Sequence, residues 1–188
     1  MRKFQRTAVY STLLLCCFVI GAICGCALAA LGQPSSALQN LLNDHFLLIA
    51  GKELSISVFA VFLRCIQWPI FVVFAFYLPC SAVSIPFILA LRGLSLSYAV
   101  TCLCMFFDYS GLTTAAALFS VLLIFEIPAL FIVSCDAFAK SVFSGVDDKK
   151  QLSTDTLLTV GGFLLVAIAL HLTAMPGVFS AVCMRLFL

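Results

Sequence analysis

The chain is 188 residues long, with 64% hydrophobic residues, 10% charged residues and a formal net charge of +2. Soluble domains sit near roughly 45–50% apolar and about 25% charged, so the composition excludes one; no nucleic-acid partner is expected, although the net charge alone says nothing about it. It predicts an all-α, polytopic transmembrane helix bundle of about five spans, whose first partner is the lipid bilayer.

The first predicted span covers about 8–31, behind a basic flank holding Arg2, Lys3 and Arg6. Gly21, Gly25 and Ala29 recur every four residues, a stripe of small side chains that lets another helix approach closely. A rival reading treats this stretch as a cleaved signal, with Ala27-Leu28-Ala29 before Ala30 and a lipoprotein-like Ile23-Cys24-Gly25-Cys26. The charge-free run is long enough to span, which favours a retained helix.

Residues 33–63 read as an outer amphipathic region between spans one and two. Pro34-Ser35-Ser36 signals a helix start, and Leu38, Leu41, Leu42, His45, Leu48 and Ile49 follow at helical spacing. His45 reads as an interfacial residue, because no second ligand stands at metal-binding spacing. Leu54 to Leu63 is apolar but too short to span before Arg64 closes it.

The second span is the uncharged stretch 65–91, roughly 40 Å long as a helix and interrupted by Pro69, Pro79 and Pro86. Such prolines predict a bent helix, and Gln67 and Trp68 suit the membrane–water boundary. Arg92-Gly93 reads as an inner turn. A short third span over 93–107 places Gly93, Ser97 and Thr101 four apart on one face, and Asp108-Tyr109-Ser110-Gly111 reads as a tight turn. The fourth span, 112–134, holds Glu126 and then Pro128. The loop 135–155 carries Asp147, Asp148, Lys149 and Lys150, and the fifth span covers 156–174.

The ten cysteines lie almost wholly inside these apolar stretches and form no Cys-x2-Cys pair. They read as small packing residues, with Cys24 and Cys26 kept open, so no metal or other cofactor is expected. With five spans, Arg2, Lys3, Arg6, Arg92, Lys140, Lys149 and Lys150 share one side, against Lys52, Arg64 and Arg185. This bias predicts a membrane protein with its N-terminus and the loop 135–155 cytoplasmic and its C-terminus outside.

No nucleophile, phosphate-loop or metalloprotease motif is present, which points away from an enzyme. An acid inside a span is a functional candidate by default. Glu126 is expected to pair with Arg92, either as part of an ion or proton path or as a structural ion pair fixing helix register. The structural role is favoured, since transport normally needs more polar groups inside the membrane.

The block from Trp68 to Lys140 resembles the stage II sporulation protein M family of bacterial membrane proteins. The resemblance lies in the Trp opening the second span, in Ile85-Pro86, in ALRGLSLSYAVTCL over 90–103, and in Glu126-Ile127-Pro128-Ala129-Leu130. The chain departs from the family where Val121-Leu122-Leu123 replaces a Pro-Asn-like pair, where Ser97 replaces a common glycine, and in its short outer loop. The resemblance implies a non-enzymatic scaffold that recruits peptidoglycan-degrading partners during forespore engulfment. A small permease or transporter subunit built around Glu126 is the alternative.

Overall fold

A computed structural model describes residues 2–32, 58–143 and 152–173, and all the regular structure among them is helical. Helix α1 is Arg2–Gly32 and α2 is Val58–Tyr77. The helical segment Ser81–Val121 breaks at Asp108, whose φ of 48° and ψ of −128° lie outside any helix. It therefore divides into α3, residues 81–107, and the first part of α4. Helix α4 covers 109–143 and passes through a π-helical turn, Leu122–Glu126, before Ile127–Phe143. Helix α5 is Thr154–Thr173.

Among the described residues, four stretches are long and apolar enough to cross a bilayer: Ala8–Gly32, Ser81–Asp108, Phe119–Val142 and Thr154–Thr173. The chain is thus a multi-pass membrane protein with an all-α bundle. Helix α2 has 20 residues, roughly 30 Å of helix, although its unbroken apolar part is the shorter Cys65–Tyr77.

The helix boundaries differ from the predicted ones between residues 58 and 107. The stretch 65–91 is not one bent span, because the chain turns at Leu78-Pro79-Cys80. Proline disfavours helical geometry in the residue before it and donates no amide, so Pro79 ends α2. Conversely, Arg92-Gly93 is not a turn and 93–107 is not a separate span, since α3 runs straight through both residues. The expectation of a turn there assumed that an arginine must reach the membrane surface. That assumption fails where a partner is available inside.

Two smaller corrections follow from packing. Residues 135–143 belong to α4 rather than to a loop, because Ala137 and Phe138 are buried and Tyr10 packs edge-on against Phe138 at 5.5 Å. Residues 58–63 belong to α2, which places Arg64 within a helix instead of at its start. The rest of the predicted amphipathic region, including His45, lies outside the described residues, as do Asp147 to Lys150 and Arg185.

Every helix contributes to one core: Leu14 from α1, Val72 and Phe76 from α2, Ile85 and Leu89 from α3, Leu130 and Val133 from α4, Val160 and Leu164 from α5. A smaller cluster around Leu103 and Ala115 fills the tip of the α3–α4 hairpin. Outside this core, large apolar side chains such as Val83, Leu158 and Leu165 are exposed, as lipid-facing positions require.

Candidate functional site: a buried ion pair in an interlocked helix triplet

Helices α1 and α3 make the most extensive contact in the bundle. Their contacts advance together in sequence: Phe18 and Ala22 with Gly93, Gly21 with Ala90, Gly25 with Leu94, Cys26 with Thr101. The two helices are therefore parallel. The stripes Gly21, Gly25, Ala29 and Gly93, Ser97, Thr101 are expected as packing faces, and both lie along the α1–α3 contact: Gly25 meets Ser97, while Gly21 meets Ala90 and Gly93 meets Phe18 and Ala22. A Cβ on Gly21 would strike the Ala90 carbonyl, and one on Gly93 would strike that of Phe18. These are backbone-to-backbone approaches that only glycine permits. Ser97 Oγ uses the closeness to donate 2.6 Å across to the Ala22 carbonyl, and Thr101 Oγ1 lies 3.4 Å from Cys26 Sγ. Ala29, at the far end of its stripe, is buried.

Against this fixed pair, α4 folds back antiparallel. The turn at Asp108 brings Gly111 against the Leu103 carbonyl and continues down the hairpin until Glu126 faces Arg92. Arg92 Nη2 donates to Glu126 Oε1 at 2.6 Å, with the side chains 10% and 2% exposed. Arg92 stands twelve residues beyond Cys80 and sixteen before Asp108, roughly 18 Å and 24 Å along the helix. It thus lies near the middle of α3, level with the acid, rather than reaching inward from a surface turn.

A third residue completes the site. The Arg92 guanidinium carbon lies 5.0 Å from the centre of the Trp68 ring on α2, a cation–π arrangement. Trp68 was expected at the membrane–water boundary, but the turn at Pro79 carries it to the depth of Arg92. The signal was present in the spacing, since Trp68 and Arg92 stand at equal distances from Cys80. Reading the hairpin correctly would have found it.

Local helix geometry explains why Glu126 points inward. Pro128 cannot donate to the Ile124 carbonyl, and its ring crowds that carbonyl. The π-helical turn Leu122–Glu126 relieves the crowding by adding one residue to the turn. One extra residue rotates the following face by about 100°. The inward face therefore runs through Glu126, Leu130, Val133, Ser134 and Ala137, all buried, while Phe125 is only partly so.

Chemically, the site is a desolvated guanidinium–carboxylate pair with an aromatic cover. Trp68 Nε1 and Ser134 Oγ are buried with no hydrogen-bond partner among the described residues. Ser134 is two turns below Glu126, so it does not extend the pair into a polar file. Among the described residues, no three His, Cys, Asp or Glu side chains are grouped as metal ligands.

At the end of the bundle holding the N-terminus of α1, a second polar contact joins α4 to α5. Asp136 Oδ2 accepts from the Ser153 amide at 2.9 Å and from Lys140 Nζ at 3.1 Å. Ser153 in turn accepts the first helical bond of α5, from the Leu157 amide at 3.1 Å. Asp136 thus caps the start of α5 from a neighbouring helix.

No protein-family model matches this chain, nor does any curated protein or any solved structure.

Proposed function

We propose that the protein is a non-enzymatic membrane scaffold, a rigid multi-pass frame that presents its connecting segments to other proteins. The observation that carries this reading is the buried Arg92–Glu126 pair. Its charges are directed at each other beneath Trp68 and fix the depth of α3 against α4 and α2. A pair used in this way sets helix register, which is the best-attested use of buried charge.

The proposed setting is a bacterial cytoplasmic membrane, crossed five times with the N-terminus inside and the C-terminus outside. Moving Arg92 into the membrane leaves Arg2, Lys3, Arg6, Lys140, Lys149 and Lys150 on the proposed inner side, against Lys52, Arg64 and Arg185. The bias keeps its direction. The proposed partners are peptidoglycan-degrading enzymes acting in forespore engulfment, and the ground for that class is the sequence resemblance of residues 68–140 alone. The test is purification of the full chain in mild detergent from sporulating cells, probing for cell-wall hydrolases. Their co-purification supports the scaffold; clean isolation without them counts against it.

A second reading, a permease or transporter subunit, draws on one observation: the buried acid sits on a π-helical turn, a distortion frequent at functional sites. Replacing Glu126 with Gln separates the two. A scaffold loses abundance, whereas a transporter keeps normal abundance and selectively loses flux in reconstituted vesicles.

A further inference from the structure

Helix α1 is unbroken from Arg2 onward, so Arg2 and Arg6 share a helix face. At helical spacing that face continues through Val9, Leu13, Cys16 and Ile20, all four of them exposed. Leu14, Gly21 and Gly25, on another side of the helix, are buried. Arg2 and Arg6 therefore stand at the head of the stripe that α1 turns to lipid. Their depth fits this place. Pro79 lies eleven residues before Ala90 and fourteen before Gly93, and the same steps along α1 lead from Gly21 to Tyr10 and from Phe18 to Phe4. Arg6 falls between those two levels, at the height of the uncharged turn that joins α2 to α3. Arg2 is one turn, roughly 6 Å, further out. This end of the bundle holds Arg2, Lys3, Arg6, Lys140, Lys149 and Lys150 against Asp136, Asp147, Asp148 and Asp155. Six against four leaves two positive charges whichever pairs form.

We infer that this stripe is a docking surface for anionic lipid. The acyl chains lie along Val9, Leu13 and Ile20, and the negative headgroup meets Arg6 and Arg2. Two properties of α1 favour a lipid over a soluble anion. The basic pair is continuous with an exposed apolar face, and only an amphipathic partner matches both halves. The helix also has no Asp or Glu anywhere along it. Its basic residues add to the positive end of the helix dipole instead of opposing it, and a layer of anionic headgroups offsets both.

The test places the full chain in vesicles carrying a trace of spin-labelled phosphatidylglycerol or spin-labelled phosphatidylcholine, and compares the fractions immobilised at the protein surface. The anionic-to-zwitterionic ratio should exceed one, since a basic residue at an anionic surface is worth roughly fivefold in local lipid concentration. Added salt should shrink it. Arg2→Gln/Arg6→Gln should bring the ratio close to one while immobilising as much phosphatidylcholine as the wild-type chain; Arg2→Lys/Arg6→Lys should keep the preference. Lys149→Gln/Lys150→Gln removes the same charge from the same end but outside the stripe, and should keep most of the preference. A wild-type ratio in the double arginine-to-glutamine variant overturns the inference. So does an equal fall in the Lys149/Lys150 variant, which would trace the preference to the net charge of this end and not to the stripe.

Discussion

At the scale of single residues, the energetics centre on Arg92 and Glu126. Removing one member of a buried ion pair leaves a stranded charge and costs about 3–5 kcal/mol, whereas replacing both by apolar residues is often neutral. Glu126→Ala should therefore lower thermal stability in detergent sharply, and Arg92→Leu/Glu126→Leu should recover most of the loss. Equal loss in the single and double variants would show that the site depends on shape alone. Asp108 makes a second, independent prediction. Its φ of 48° is a conformation glycine adopts freely, and strain of this kind costs of order 1–3 kcal/mol. Asp108→Gly should raise thermal stability by about 1 kcal/mol, and Asp108→Val should lower it; a destabilised glycine variant would point to a role for the carboxylate. The pairing of Arg92 with Glu126 could be anticipated from the sequence because each is an isolated charge in apolar surroundings. Trp68 could not be placed while Arg92 was taken as a surface residue.

At the scale of elements, the contact between α1 and α3 is made by backbone atoms, which cannot step aside. Gly21→Ala and Gly93→Ala should each separate the two helices, at the upper end of the roughly 1–3 kcal/mol typical of overpacking. Ser97→Ala should lose only about 0.6 kcal/mol, the usual worth of one interhelical hydrogen bond in a bilayer. Comparable losses at Ser97 and Gly93 would show that the hydrogen bond, not the close approach, holds the pair. The α4–α5 joint gives a similar contrast around one carboxylate. Asp136→Ala removes the cap on α5 and should cost about 1–2 kcal/mol, while Lys140→Ala should cost under about 1 kcal/mol, as partly exposed ion pairs do. Thermal denaturation of the two variants side by side checks this. Both small-residue stripes were readable because four-residue spacing marks a helix face. Their partnership was not, since nothing in spacing says which face meets which.

At the scale of the whole molecule, the hydropathy pattern was enough to establish a multi-pass helical bundle, and it misled where it used charge as punctuation. Arg92 read as a boundary and Pro79 as a bend; the structure reverses both roles. The reason is that hydropathy scores each residue against lipid, whereas Arg92 is solvated by Glu126 and Trp68. The same limitation cut the predicted fourth span short at residue 134, because Asp136 and Lys140 after it pair with each other, and Asp136 also with the Ser153 amide. A topology map would check the corrected boundaries: labels attached at Cys80 and at Ser110 should report opposite faces of the membrane, and a label at the exposed Leu91 should report neither.

The turn Leu78-Pro79-Cys80 sets a limit on how the molecule can be gripped. It carries no charge, leaves Tyr77, Leu78 and Val83 exposed, and bonds the Leu78 amide to the Ala75 carbonyl of α2 and the Ser81 amide to the Leu78 carbonyl. Such a turn gains nothing by projecting into water and rests in the headgroup layer. One corner of this end is in effect sealed with grease, flush with the lipid. A water-soluble protein arriving from that side finds no charged handhold at this corner of the bundle.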